Sequence, residues 1–163
     1  MKALEKDVLE ILKSDARLSA KQIAAALGVA TADVQACIDG MEQSGAIVKY
    51  AAIVNGEKTD ETLVEALIEV KVTPKSVEGF DGIAKQIASF PEVKGVYLMS
   101  GAYDLAVFIE DASLQKVARF VSERISTFDG VISTATHFIL KKYKIEGVLT
   151  EKADADLRLS VQA

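Results

Sequence analysis

A chain of 163 residues that is half hydrophobic is long enough for one medium or two small domains with packed cores. Its net charge of -5 argues against a general polyanion binder, while one cysteine, Cys37, excludes an internal disulfide and one histidine, His137, leaves no structural zinc set. No apolar run approaches the roughly 20 residues of a bilayer span, and the start Met1-Lys-Ala-Leu-Glu-Lys-Asp7 lacks a signal peptide's apolar core, so a cytoplasmic protein without membrane, metal or cofactor is expected.

Leu4, Val8, Ile11 and Leu12 recur at helical spacing and predict a first helix that ends before Ser14 to Arg17. The next stretch, Leu18-Ser-Ala-Lys-Gln-Ile-Ala-Ala-Ala-Leu-Gly-Val-Ala-Thr-Ala-Asp-Val34, has the spacing of a helix, a tight glycine turn and a second helix. Ser19 is placed to cap the first of these helices, with Gln22 closing a capping box. Gly28 supplies the turn, and Thr31 is expected to cap the second helix. Ile23, Leu27, Val34 and Ile38 then pack inward. Gly45 stops the last helix, and Gly40 inside it costs about 1 kcal/mol relative to Ala.

In a DNA-binding helix-turn-helix, the helix begun by Thr31 enters the major groove. Thr31, Ala32, Asp33, Gln35 and Ala36 are the positions that would meet base edges or phosphates, with Lys21 and Lys49 as phosphate partners. Yet Thr31 to Ser44 has no Lys or Arg and carries Asp33, Asp39 and Glu42, and residues 1–55 hold six basic against seven acidic side chains. The expected basic footprint is missing, so DNA binding is predicted to be weak per dimer and to depend on assembly.

Ala46 to Val54 reads as extended chain, and the polar segment Asn55 to Glu61 as a linker. The second half then alternates: a strand near 63–72, a helix near 80–90, strands near 93–100 and 104–110, a helix at 113–126 capped by Ser113, and a long strand at 131–143. This is a β-α-β-β-α-β, ferredoxin-like order in an α+β chain. The expected domains are 1–54, a winged helix-turn-helix; 55–61, the linker; 62–148, the ferredoxin-like oligomerisation domain; and 149–163, a polar tail, flexible or forming an added edge strand. Ala66, Ile68, Val70 and Val72 occupy one face of the first strand, while Leu63 and Leu67, with Ala106 and Phe108 of the third, give the other face apolar content. Two helices cover only one face, so a homodimer through residues 62–143 is predicted.

Several motifs resemble those of the leucine-responsive and asparagine-type (Lrp/AsnC, feast/famine) transcriptional regulators. They are Asp7-Val-Leu-Glu-Ile-Leu-Lys-Ser-Asp-Ala-Arg-Leu-Ser19, the turn Ala26-Leu-Gly-Val29, the set Ile38, Met41, Glu42, Gly45 and Ile47, Phe90-Pro-Glu-Val-Lys-Gly-Val96, and Ser100-Gly-Ala-Tyr-Asp-Leu105. The resemblance implies dimers through the C-terminal sheets, assembly into tetramers or octamers, and amino acids or related metabolites bound between dimers. Members commonly carry basic residues where this chain has Cys37, Asp39 and Gly40. The family's effector loop corresponds to Ser100, Gly101, Tyr103 and Asp104: glycine admits a ligand to the backbone, Asp104 pairs with an α-ammonium, and Tyr103 offers a ring and a hydroxyl. The plainer alternative is a hairpin satisfying turn geometry. Thr134 and Thr136 share a strand face and would add hydroxyls to the pocket.

The same two-domain plan also resembles siroheme decarboxylases, an enzymatic alternative that a single histidine and no acid/base constellation do not favour. A third reading is an amino-acid-binding assembly without operator activity. His137 and Cys37 read as structural, and the cluster Lys141-Lys-Tyr-Lys144 as a solvated strand end that would also suit anions.

Overall fold

The computed structural model describes residues 2–59, 63–73 and 79–150. The chain divides into two compact units, Met1–Ala52 and Ile53–Ala163.

The first unit is three helices: α1 (Ala3–Ser14), α2 (Ala20–Leu27) and α3 (Thr31–Gln43). Ser19 Oγ accepts the Gln22 amide proton at 3.3 Å, and the Ser19 amide donates back to Gln22 Oε1 at 2.9 Å, which is the reciprocal box the sequence predicts. Gly28 ends α2 at φ +69°, and Gly45 follows α3 at φ +74°, both in the left-handed region that a side chain disfavours. Val8, Leu12, Ile23, Ala24, Val34 and Met41 form the buried core, with Leu4, Ile11, Leu27 and Ile38 packed against it.

One expectation for this unit is corrected. Ala30, not Thr31, is the N-cap of α3: its extended backbone (φ -73°, ψ 142°) presents its carbonyl to the Asp33 and Val34 amides, and Thr31 is already the first helical residue. Residues 48–54, expected to be extended chain, carry no helix and no strand ladder. Tyr50 fastens this stretch instead, its hydroxyl donating to Glu42 Oε1 at 2.9 Å.

The second unit holds β1 (Val64–Val72), α4 (Asp81–Ala88), β2 (Val93–Leu98), β3 (Leu105–Asp111), α5 (Leu114–Glu123) and β4 (Val131–Phe138), with a short hairpin of β5 (Lys144–Ile145) and β6 (Val148–Leu149). The antiparallel sheet has the order β2-β3-β1-β4. Ser113 caps α5 by accepting the Lys116 amide proton at 3.2 Å. One sheet face, carrying Ile68, Val70, Leu105, Val107 and Ile109, packs on Ile83 and Ile87 of α4 and Val117 and Phe120 of α5.

The last long strand is shorter than predicted. Ile139 makes one further bond, to Glu65 O, but β1 begins at Val64 and has no more residues to pair with, so the chain leaves the sheet and turns back through Glu146 and Gly147. The polar stretch at Asn55 folds with this unit: its side chain caps a single turn at Gly56–Lys58 and donates to Thr150 O at 2.8 Å. Tail residues 151–163 lie outside the described part.

Candidate functional site

In the first unit, α2 and α3 cross at 119°, within the range of a helix-turn-helix. All of Lys21, Thr31, Ala32, Asp33, Gln35, Ala36 and Lys49 are exposed, so each is available to a partner. Gln35 is not isolated: its Nε2 donates to Asp39 Oδ1 at 2.8 Å along the exposed side of α3. At the entrance to α2, Arg17 donates through its side chain and its amide to the Asp15 carboxylate, and these bonds hold that carboxyl down at about 2 against an ordinary 3.8.

In the second unit the Ser100–Asp104 connection joins β2 to β3, with Ser100 and Gly101 exposed and Tyr103 and Asp104 half-buried. Asp104 does more than complete a turn. Its Oδ2 accepts the Val72 amide proton at 2.8 Å, its own amide donates to Val70 O at 3.1 Å, and its carbonyl accepts the Met99 amide proton at 2.8 Å. A carboxylate has about four acceptor sites, so the Val72 bond leaves capacity for an ammonium donor.

Thr134 and Thr136 are placed less simply. They lie opposite Val70 and Ile68, so their side chains share the helix-covered face, and the Thr134 hydroxyl sits 3.3 Å from the Ser126 hydroxyl. Leu105, Val70 and Thr134 form one line across the sheet, which puts β1 between the threonines and the Asp104 loop within a single chain.

A cleft of about 540 Å³ that sequence reasoning missed lies at the other end of β1. Leu63, Val64, Ile139 and Ile145 supply its apolar walls, and Glu65, Glu110, Lys141 and Lys142 a rim of both charges. It is roughly 23 Å from Val72, given seven residues of strand, and contains none of the predicted effector residues. Its lining comes from five separate stretches of chain, so no local motif marks it.

The helix-free sheet face carries the expected apolar residues with charged ones among them. Tyr97 stands edge-on to Phe108 (5.8 Å, 88°) beside half-buried Leu67. Around them run polar contacts: His137 Nε2 lies 3.3 Å from Glu69 Oε1, and Lys94 pairs with Glu110 at 3.9 Å and Lys142 with Glu65. Cross-strand alternation explains the mixture, since Glu65 and Glu69 flank Leu67 on the same face. Among the described residues no cluster of three or more His, Cys, Asp or Glu is arranged to hold a metal, and no single helix is long and apolar enough to cross a membrane.

Residues 65–149 match the family model of the Lrp/AsnC ligand binding domain, and residues 1–48 match a winged helix-turn-helix DNA-binding model. The chain is 47% identical over 164 residues to the uncharacterised HTH-type transcriptional regulator YugG of Bacillus subtilis, covering 99% of each chain. The chain belongs to the Lrp/AsnC family. Among solved structures, an AsnC family transcriptional regulator from Agrobacterium tumefaciens is similar in fold (TM-score 0.71, 24% identity, 94% of this chain and 97% of that one). So is a Neisseria meningitidis transcriptional regulator in an L-Met complex (TM-score 0.71, 19% identity, 89% and 93%). This Lrp/AsnC protein is therefore a transcriptional regulator with a winged helix-turn-helix DNA-binding module and a ligand-binding domain, and its relatives are named as regulators rather than enzymes.

Proposed function

We propose that an amino acid or related small metabolite modulates DNA binding by this regulator from a site built on the Ser100–Asp104 loop. The observation that carries the reading is Asp104: a half-buried carboxylate fixed against β1 by the Val72 amide, beside a glycine-bearing exposed loop, is a preorganised acceptor for an α-ammonium. The structural likeness to a Neisseria regulator crystallised with L-Met supports the ligand class. Backbone groups and Asp104 recognise the amino-acid core shared by such ligands, and the pocket walls choose the side chain.

The protein works as a homodimer joined through the helix-free sheet face, assembled further into tetramers or octamers. Leu67, Tyr97, Ala106 and Phe108 form an apolar centre and the surrounding polar contacts a rim, the arrangement of a protein interface. Thr134 and Thr136 face the helix layer and are separated from Asp104 by β1 in one chain, so they join the pocket from a subunit of another dimer rather than across the helix-free face.

DNA is bound through Thr31, Ala32, Asp33, Gln35 and Ala36 of α3, with Lys21 and Lys49 on phosphates. Several such units act together to offset the missing positive charge. A thermal-shift screen of amino acids and short metabolites, followed by titration of each hit, tests the effector reading: a stabilising amino acid supports it, and uniform silence across the panel sinks it. Light scattering that shows a monomer at micromolar concentration sinks the assembly.

A further inference from the structure

We infer that Gln35 and Asp39 form one base-reading unit, in which Asp39 fixes the Gln35 amide for adenine while Ala32 and Ala36 beside it receive thymine methyl groups. The inference rests on the DNA-binding reading above and states what α3 reads.

Side chains three and four apart are neighbours on a helix, so Ala32, Gln35, Ala36 and Asp39 share one exposed strip. Gln35 Nε2 donates to Asp39 Oδ1 at 2.8 Å. An ionised carboxylate only accepts, so this contact admits one amide orientation: nitrogen toward Asp39 and oxygen away. The second Nε2 hydrogen and Oε1 then remain as a donor and acceptor side by side. That pair complements adenine, whose N7 accepts and whose N6 donates in the major groove.

Guanine presents two acceptors there and is read by Arg or Lys, neither of which occurs from Thr31 to Ser44. The exposed methyls of Ala32 and Ala36 suit the thymine C5-methyl, which supplies a second A·T signal on the same strip. Asp39 thus has a use that offsets its repulsion of phosphate. The helix gives up affinity and gains a fixed amide.

The test is selection from random duplex DNA with the full-length protein, followed by titrations at two salt concentrations. Selected sites should contain an adenine whose preference over other bases, roughly 5- to 150-fold for a good bidentate pair, disappears in Gln35→Ala. Uracil in place of thymine, or 7-deazaadenine in place of adenine, should weaken binding at that step.

The Asp39 variants separate positioning from charge. Asp39→Asn loses the charge and can both accept and donate, so affinity should rise while the Gln35 amide is no longer held in one orientation and the adenine preference falls part of the way. Asp39→Ala loses charge and acceptor, so affinity should rise while the preference falls toward that of Gln35→Ala. An adenine preference in Asp39→Ala equal to that of wild type, or a guanine at the Gln35-dependent step, overturns the base-reading unit. A wild-type complex whose base preference ignores position 35 overturns this inference alone. No complex at low salt overturns it together with the DNA-binding reading.

Discussion

The Asp104 carboxylate and the Val72 amide are joined by a 2.8 Å hydrogen bond that carries β1 pairing past the end of β3. One side chain therefore serves both the sheet and the proposed effector site, and the two duties separate by substitution. Asp104→Asn keeps a carbonyl acceptor for Val72 and removes the charge, so thermal stability should stay within about 0.5 kcal/mol of wild type while amino-acid affinity falls. Asp104→Ala should in addition lose about 1–3 kcal/mol by stranding the Val72 amide. Unchanged ligand affinity in Asp104→Asn would place the effector elsewhere, with the cleft at Leu63 and Ile139 the next position to probe.

Gly40→Ala should stabilise the first unit by up to about 1 kcal/mol. Gly40 lies inside α3 without a positive φ, and an added Cβ meets nothing within 4 Å. Urea denaturation reads the change, and a lower midpoint would show that position 40 is not the open helical site described.

Gly130→Ala should act in the opposite direction. Gly130 holds φ +99° where the chain enters β4, its carbonyl accepts the Thr73 amide proton at 2.8 Å, and a Cβ there would lie 3.2 Å from Ile83 Cδ1 and from Thr73 O. The left-handed backbone alone costs about 1–3 kcal/mol for a residue with a side chain. A melting temperature equal to wild type would contradict this geometry.

Acid titration should find the Asp15 carboxyl well below the ordinary carboxylate range. Arg17 hydrogen bonds lower it to about 2 in the folded protein from an ordinary 3.8, so the link contributes fully above 3.8 and is lost as pH falls through about 2. Carboxyl carbon shifts followed by NMR report the titration directly, and Arg17→Ala should return Asp15 to the ordinary range. A wild-type midpoint near 4 would remove the link.

Local chemistry made much of the fold legible. The Ser19 and Gln22 box, the left-handed Gly28 and Gly45, and the Ser113 cap each act over a few residues, and the alternation of Ala66, Ile68, Val70 and Val72 marks the buried face of β1. What depends on distant partners was hidden. Asn55 bonds to Thr150 across 95 positions, and the cleft beside them has no sequence signature. The last strand ends at Phe138 although apolar residues continue beyond it, because its partner β1 has no further residues to pair. The loop Ser100–Asp104 stood out by composition, but the anchoring of Asp104 to Val72 required the sheet register.

The central claim is that ligand occupancy changes DNA binding, and the direct measurement is a gel-shift titration on the region upstream of the protein's own gene with and without the amino acid that stabilises it. The account predicts a weak, cooperative, salt-sensitive complex whose apparent affinity shifts at least fivefold with ligand in wild type and not in Asp104→Asn. A complex whose affinity is identical with and without saturating ligand would contradict it.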